Sequence, residues 1–287
     1  MKRLLNTLYV TGKNRYLSLD GENVVVLEQQ EEIGRVPLHN IQGIVTFGYT
    51  GASPALMGAC AERNIDLSFM SGSGRFLARV SGEIKGNVIL RKKQYRVSEN
   101  EEESIKLARN FITGKIYNSR WILERAIRDY PLRIDVDKVK AKSVFLYQSL
   151  DSVRTCENSA TLLGLEGEAA SVYFSVFDEM ILNQKDDFAF ITRNRRPPLD
   201  NINAILSFAY TILAGDCANA LSSVGLDPYV GFMHSARPGR TSLALDLMEE
   251  LRPVLADRFV LTLINTKAIQ SIHFEKQKDG AVLLNDN

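Results

Sequence analysis

The chain has almost no net charge, few cysteines and no long apolar run. Each of these shortages limits the classes of protein to which the chain can belong. Its 35 Lys and Arg nearly balance 34 Asp and Glu, so the net charge of +1 indicates no class of partner by itself. The three cysteines, Cys60, Cys156 and Cys217, are odd in number, widely spaced and not in CxxC pairs. That pattern argues against a disulfide-stabilised secreted protein and predicts reduced thiols in a cytoplasmic one.

The lack of long apolar runs argues against membrane-spanning helices. No run approaches the roughly 18 residues that a membrane-spanning helix needs. Residues 1–7 carry charge without the apolar stretch or cleavage site of a signal peptide. We therefore expect no membrane association. Hydrophobic residues still make up 45% of the 287-residue chain, which suffices for one large domain or two of ordinary size.

Positive charge is concentrated locally although the total is small. Residues 1–97 hold 13 Lys and Arg against 8 Asp and Glu, a balance of +5, and residues 98–287 hold 22 against 26, a balance of −4. The basic clusters lie at 91–96 and 193–196. Such clusters can neutralise phosphates, but they are equally typical of a solvated linker and a solvated loop.

The first 90 residues have the alternating pattern of β-strands. Apolar residues alternate around Gly21 over 15–27, which predicts a hairpin, and further strand-like segments follow at 34–38, 41–47, 65–70 and 75–80. One helix interrupts them, with Ser53 as its N-cap and Pro54 in its first turn. The pattern predicts a small β-rich, β-sandwich-like domain over residues 1–90.

Beyond a predicted linker at 91–104, the periodicity becomes helical. Apolar residues recur every three or four positions from Ile105 onward, and further helices are predicted at 136–150, 160–182, 203–224, 243–251 and 257–265. Asp200 has the position of an N-cap for one of them. We therefore predict a larger all-α C-terminal domain over 105–287 and an α+β fold class for the whole chain.

Glu166 lies in the first of three segments that suit a divalent metal ion. It shares a predicted helix face with two alanines, which let another segment approach its carboxylate. The nearby glycines, Gly164 and Gly167, would allow the same close approach at some cost in helix propensity. The alternative is a surface glutamate on an ordinary packing helix.

His234 and two acidic residues complete the predicted site. His234 lies where a short apolar run meets a loop rich in Arg, Pro and Gly. Asp246 and Glu249 are three residues apart on one face of a predicted helix, so one can bind a metal ion and the other can support it. One imidazole and two carboxylates suit a divalent cation. A structural histidine and an ordinary amphipathic helix remain the alternatives.

Four motifs, taken in order, resemble the universal CRISPR adaptation integrases, the Cas family found in nearly all adaptation modules. The motifs are 162–170 followed by Tyr173-Phe174, 195–200 with 203–210, 225–234, and 245–253. With the β-rich start, the resemblance covers essentially the whole chain. Residues 46–53 look most like members from type I-C systems.

The resemblance implies both a metal site and an assembly. It makes Glu166, His234 and Glu249 the ligands of Mn²⁺ or Mg²⁺, with Asp246 beside them and Arg252 near DNA. It implies a homodimer formed through the N-terminal β domain, and a heterohexamer in which two dimers flank a dimer of a small ferredoxin-like Cas partner. That complex would bind a short DNA duplex with 3′ overhangs and insert it into CRISPR repeat DNA.

The expected reaction is phosphodiester transesterification, in which a DNA 3′-OH attacks a phosphate with the help of the metal ion. The expected catalytic residues are Glu166, His234, Glu249 and Asp246. His234 could also carry a proton. We expect loops 193–196 and 234–240 to clamp a 3′ overhang, and Tyr210 to be either a base-stacking or a buried residue. The predicted phosphate contacts are Arg193, Arg195, Arg196, Arg237, Arg240 and Arg252. A metal-dependent nuclease that uses water and a non-catalytic DNA-binding scaffold are the alternative functions.

Overall fold

The computed structural model describes residues 6–12, 14–72, 74–82 and 88–285. Contacts divide the chain into two compact units. The first contains the described residues up to 82 together with Asn285, and the second contains residues 88–284. Strands predominate in the first unit and helices in the second, which confirms the predicted α+β class.

Two four-stranded sheets form the first unit. Its strands are β1 (Thr7–Val10), β2 (Arg15–Asp20), β3 (Asn23–Glu28), β4 (Glu31–Pro37), β5 (Gly43–Phe47), β6 (Gly51–Ala52), β7 (Asp66–Met70) and β8 (Phe76–Arg79). One sheet has the order β1-β5-β7-β8 and is parallel except for the β7–β8 pair. The other has the order β4-β3-β2-β6 and is antiparallel except for the β2–β6 pair.

Local sequence explains the hairpin and the helix of the first unit. Asp20 pairs with Asn23 across the predicted turn, where Gly21 has a φ of +56°, a conformation that glycine adopts without strain. Helix α1 (Pro54–Arg63) begins after Ser53, whose hydroxyl accepts the N–H of Leu56 at 3.2 Å. Apolar residues of both sheets and α1 share one core that includes Leu17, Val24, Ile44, Leu56, Cys60 and Leu67.

Helices make up most of the second unit. They are α2 (Val88–Glu99), α3 (Glu101–Asp129), α4 (Val136–Thr155), α5 (Ser159–Phe174), α6 (Lys185–Phe188), α7 (Asn201–Ser223), α8 (Ser242–Leu251) and α9 (Arg258–Asn265), with a π-helical turn at Arg252–Asp257 joining α8 to α9. Asp200 caps α7 as predicted, because its carboxylate accepts the N–H of Asn203 at 2.7 Å. The core of this unit is formed by apolar residues of α3, α4, α5, α7 and α9.

The segment expected to be a linker, 91–104, is instead helical over most of its length. Helix α2 continues to Glu99, and Asn100 then caps α3 by accepting the N–H of Glu103 at 3.1 Å. The charged sequence of α2 resembles a solvated segment, but Gln94 is 4% exposed and bonds to the loop at 227–230. Tertiary hydrogen bonds therefore order a stretch whose composition indicates a linker.

Two further expectations differ from the structure. The helix predicted over 160–182 ends at Phe174, after which a 3₁₀ turn lets Phe174 and Phe177 pack against Phe190. The second unit also contains an antiparallel hairpin of β9 (Phe274–Lys276) and β10 (Val282–Leu284), so it is mainly rather than wholly helical.

Helix α7 is the one described helix that is long and apolar enough to cross a membrane by length and composition. Its sequence contains no long uninterrupted apolar run, because polar residues recur along it. Its buried residues Ile202, Ile205 and Leu206 pack into the core of the second unit. Such packing is expected of a core helix, and length and composition alone are weak grounds for a membrane span.

Candidate active site

The ammonium group of Lys115 lies between two of the predicted metal ligands. Its Nζ donates to Oε1 of Glu166 on α5 and lies 2.7 Å from Oε2 of Glu249 on α8. Lys115 comes from α3 and is 9% exposed, while Glu249 is 3% exposed. Helices α5 and α8 therefore bring the two carboxylates together around the ammonium group that α3 contributes, and we call this the cation position.

Glu249 is held by two positive charges. Besides Lys115, Arg252 pairs with it, with Nη1 lying 3.0 Å from Oε1. Burial acts to raise the pKa of Glu249, but the charges of Lys115 and Arg252 outweigh burial and lower that pKa below its ordinary value. Its Oε2 is paired with the ammonium group of Lys115 at 2.7 Å. Two cationic side chains therefore occupy both oxygens of this carboxylate.

Asp246 fixes the position of His234. The fully buried carboxylate accepts the N–H groups of Phe232 at 2.6 Å, Met233 at 3.0 Å and His234 at 3.0 Å, and it lies 2.6 Å from Nδ1 of the imidazole. Gly231 permits this approach, because a Cβ there would lie 2.6 Å from Oδ2 of Asp246. With Nδ1 engaged, Nε2 is the ring nitrogen left for a metal ion or a proton.

A cleft of about 600 Å³ opens beside Lys115. Helices α3 and α5 contribute to its walls, together with the segment 190–195 and the start of the π-helical turn. Its lining includes both charged and aromatic side chains: Lys115, Glu166, Arg193, Arg195, Tyr210 and Arg252. The excess of cationic groups makes the cleft suitable for an anionic chain such as the DNA backbone.

Tyr210 is held inside this wall. The guanidinium carbons of Arg193 and Arg252 lie over its ring at 5.3 and 4.9 Å from the centroid. Its hydroxyl donates to Oδ1 of Asp257 at 2.5 Å. Burial raises the pKa of Asp257 to about 6, although the hydrogen bond from Tyr210 lowers it. These contacts favour a half-buried, structural tyrosine over a base-stacking one.

The predicted DNA-contacting arginines separate into two groups. Arg193 is fixed by Oδ1 of Asn203 at 2.6 Å and by Oγ of Ser207 at 3.1 Å, and it lines the cleft with Arg195. Arg252 lines the cleft and pairs with Glu249. The remaining arginines are outside the cleft lining: Arg196, Arg237 and Arg240.

The glycines of α5 do not have the role expected from the sequence. A Cβ added at Gly164 or Gly167 would meet no described atom within 4 Å. No described segment of the chain packs closely there, so the interpretation that these glycines admit one is wrong. Gly167 instead lies on the cleft wall.

The types of donor present, rather than their arrangement in this structure, suit a divalent cation. Within the described ranges, no group of three His, Cys, Asp or Glu side chains is arranged to hold a metal ion. Instead, Glu166 and Glu249 converge on the positive charge of Lys115. Two converging carboxylates and an imidazole are ligands that Mn²⁺ and Mg²⁺ accept.

Sequence reasoning missed Lys115, although a signal was present. The buried face of α3 repeats at Ile105, Ala108, Ile112, Ser119 and Ile122, and Lys115 stands at the position where this repeat calls for another small or apolar residue. A lysine on the buried face of a helix needs a partner charge. That requirement predicts a buried acidic partner for Lys115 without identifying which acidic residue it is.

Comparison with known proteins identifies the family. The family model for "CRISPR associated protein Cas1" matches residues 8–287. The chain belongs to the Cas1 family. It is 48% identical over 294 residues to "CRISPR-associated endonuclease Cas1 2" of Rhodospirillum rubrum, covering 100% of this chain and 83% of that protein. It is 45% identical over 287 residues to "CRISPR-associated endonuclease Cas1 1" of Chlorobaculum tepidum, covering 100% and 84%.

Solved structures share the fold of this Cas1 family member. A Cas1 protein from Thermotoga maritima superposes with a TM-score of 0.80 at 23% identity, covering 98% of this chain and 85% of that chain. A casposase bound to integration product also gives 0.80, at 26% identity, covering 98% and 79%. A chain of a Cas6-RT-Cas1–Cas2 complex gives 0.77 at 23% identity, covering 100% and 31%. The resemblance to the family is confirmed, and the type I-C-like subtype stays a prediction.

Proposed function

We propose that this chain is a divalent-metal-dependent DNA endonuclease and integrase that joins DNA 3′-OH ends to CRISPR repeat DNA by transesterification. The observation that carries the proposal is the convergence of Glu166 and Glu249 on one cation position beside a cleft lined by arginines. Carboxylates that gather a cation next to a phosphate-binding surface are what phosphodiester chemistry requires.

The comparisons support the same class of function. Two relatives at 48% and 45% identity are named CRISPR-associated endonucleases. The casposase at 26% identity is bound to integration product, which supports strand joining in addition to cleavage. Both reactions exchange a phosphodiester bond, and they differ in whether water or a DNA 3′-OH is the nucleophile.

The residues of the site would divide the work. Glu166, Glu249 and Nε2 of His234 would hold Mn²⁺ or Mg²⁺, which supplies charge neutralisation at the phosphate and activation of the attacking hydroxyl. Asp246 would orient the imidazole through Nδ1. The arginines of the cleft would position the DNA backbone without reading its sequence.

The assembly forms a second part of the proposal. We infer a homodimer formed through the first unit and a heterohexamer with a small ferredoxin-like Cas partner, acting in the cytoplasm. Large apolar side chains exposed on the first unit support an interface there, namely Tyr16, Ile33, Tyr49, Phe76 and Leu77. A structural neighbour in a complex that contains Cas2 supports the small partner.

A strand-joining assay tests the function. The protein and its small Cas partner would be incubated with a labelled duplex carrying 3′-OH overhangs and a supercoiled plasmid that contains the repeat. We expect joined products with Mn²⁺ or Mg²⁺ and none in EDTA. Cleavage without joining would indicate the nuclease alternative, and DNA binding without metal-dependent chemistry would indicate the scaffold.

A matched pair of variants tests the site. Glu166→Gln removes one carboxylate from the cation position and should abolish joining while DNA binding persists. Glu168→Gln removes the same charge from an exposed position two residues further along α5 and should leave joining intact. Normal joining by the Glu166 variant would show that the ligand assignment is wrong.

A further inference from the structure

We propose that Lys115 is a positioning residue that holds the two carboxylates as an internal counterion and gives up this position only when a divalent ion and a DNA phosphate bind together. This inference rests on the proposed metal-dependent function and adds a coupling between metal and DNA. It assigns a role to a residue that is neither a metal ligand nor part of the predicted site.

The contacts of Lys115 place it in direct competition with a metal ion. Its ammonium touches Oε1 of Glu166 and lies 2.7 Å from Oε2 of Glu249, so a cation that binds both oxygens must displace it. The lysine is 9% exposed, and its charge is matched by carboxylates rather than by water. Displacement therefore needs another anion for the ammonium group.

The charge balance identifies that anion. Lys115 and Arg252 carry two positive charges and pair with the two negative charges of Glu166 and Glu249. The four groups are neutral together, and the neighbouring Arg193 and ionised Asp257 add one charge of each sign. A divalent ion added to them leaves an excess of two positive charges in a largely buried site, which is unfavourable. Phosphate groups of a DNA strand supply the missing negative charge.

The cleft is the space into which the displaced ammonium group would move. Lys115 itself lines the cleft, together with Arg193 and Arg195. A lysine side chain has a flexible four-carbon stem and three rotatable donors, so its ammonium can turn from the carboxylates to a phosphate oxygen while α3 stays in place. Binding of the metal ion and binding of the phosphate would then be coupled, because Lys115 exchanges the carboxylates for the phosphate.

Binding of Mn²⁺ tests this coupling without measuring catalysis. Free Mn²⁺ would be followed by its electron paramagnetic resonance signal, with and without a 3′-overhang duplex, and the Mn²⁺ bound by DNA alone would be subtracted. In the unaltered protein we expect DNA to tighten Mn²⁺ binding roughly tenfold or more, equivalent to about 1.4 kcal/mol of coupling. An Mn²⁺ affinity unaffected by DNA would overturn the proposal.

Substitutions assign the coupling to this residue. Lys115→Met removes the charge at similar length, so Mn²⁺ should bind roughly tenfold more tightly without DNA, and DNA should add less. Lys115→Arg keeps the charge and should bind Mn²⁺ no more tightly than the unaltered protein. Lys106→Met removes an exposed charge from the same helix and should change neither value.

The outcomes separate this inference from the proposed function. Equal or weaker Mn²⁺ binding by folded Lys115→Met, checked by circular dichroism, would overturn the counterion role even if strand joining is observed. If that variant does not fold, an Mn²⁺ affinity of the unaltered protein that DNA leaves unchanged would still overturn the proposal. Failure of strand joining with intact coupling would instead count against the integrase function.

Discussion

Nδ1 of His234 lies 2.6 Å from Oδ1 of Asp246, and the same carboxylate accepts three backbone N–H groups of the segment 232–234. Asp246 is on α8, the helix that also carries Glu249. One helix therefore supplies one candidate metal ligand and positions another. The imidazole is held through both its ring and its backbone, so its orientation depends on a single buried carboxylate.

Asp246→Asn should damage both stability and activity. The amide NH₂ group would face N–H donors that the carboxylate now satisfies, so we expect the free energy of unfolding to fall by about 1–3 kcal/mol. Joining activity should fall roughly 10- to 100-fold because the imidazole loses its support. Urea unfolding and the joining assay measure these effects. Asp151→Asn, at a side chain 87% exposed, should change neither.

Tyr210→Phe should be more destabilising at neutral than at acidic pH. Burial raises the pKa of Asp257 from 3.8 to about 6, so its stabilising contribution is present at low pH and is lost as the pH rises through 6. The hydroxyl of Tyr210 limits this loss by bonding to the ionised carboxylate. Without it, the unfolding free energy should fall by about 1–2 kcal/mol more at pH 7.5 than at pH 5.

The comparison variant for this pH dependence is Tyr130→Phe, since that side chain is 42% exposed. It should show the same unfolding free energy as the unaltered protein at both pH values. An equal cost of Tyr210→Phe at pH 5 and pH 7.5 would mean that the tyrosine hydroxyl does not act on the ionisation of Asp257.

Gln94→Leu should destabilise the second unit. The buried amide donates to the carbonyl groups of Asp227 at 2.7 Å and Val230 at 2.8 Å, and it accepts the N–H of Asp227 at 2.9 Å. Leucine leaves these groups unpaired, so the free energy of unfolding should fall by about 2–4 kcal/mol. Lys92→Leu, at an exposed position of the same helix, is the matched control for thermal unfolding.

The sequence predicted local features well where one residue type determines the geometry. Gly21 in its hairpin, Ser53 as a cap and Asp200 as a cap all lie where short-range rules require them. The wrong assignments have a tertiary cause. The composition of the stretch 91–96 is typical of a solvated segment, but Gln94 forms hydrogen bonds to a loop more than 130 residues later in the chain.

The sequence pointed to candidate members of the site but not to their arrangement. Motif order pointed to Glu166, His234 and Glu249, and the spacing of Asp246 indicated a supporting role. The sequence could not show that a lysine from a third helix stands between the carboxylates, because the pairing joins residues 51 positions apart on different elements. Such long-range ion pairs depend on helix packing, which periodicity alone does not specify.

Removal of the first unit should abolish dimerisation. The sequence-based expectation is that the homodimer forms through this unit, where Tyr49 is 98% exposed and Phe76 is 49% exposed. A fragment that starts at Val88 should be monomeric by light scattering at a concentration where the full chain is dimeric. A dimeric fragment would show that the interface lies in the helical unit.

Two neighbouring arginines are expected to affect how DNA enters the cleft. Arg195 lines it, and Arg196 follows in the same loop. This loop is anchored at two points, because the N–H of Leu199 donates to Oδ1 of Asn194 at 2.7 Å and the N–H of Val282 donates to the carbonyl of Pro198 at 2.8 Å. Charge reversal at the two arginines should therefore leave the loop folded and alter its affinity for phosphate.

We expect Arg195→Glu with Arg196→Glu to weaken binding of a 3′-overhang duplex roughly tenfold more than binding of a blunt duplex of equal length. Fluorescence anisotropy at fixed salt measures both. The control is Arg125→Glu with Arg128→Glu, which reverses two arginines that pair with Asp129 on α3. Equal losses for overhang and blunt DNA, or a fall in thermal stability without selectivity, would show that these arginines do not clamp the single strand.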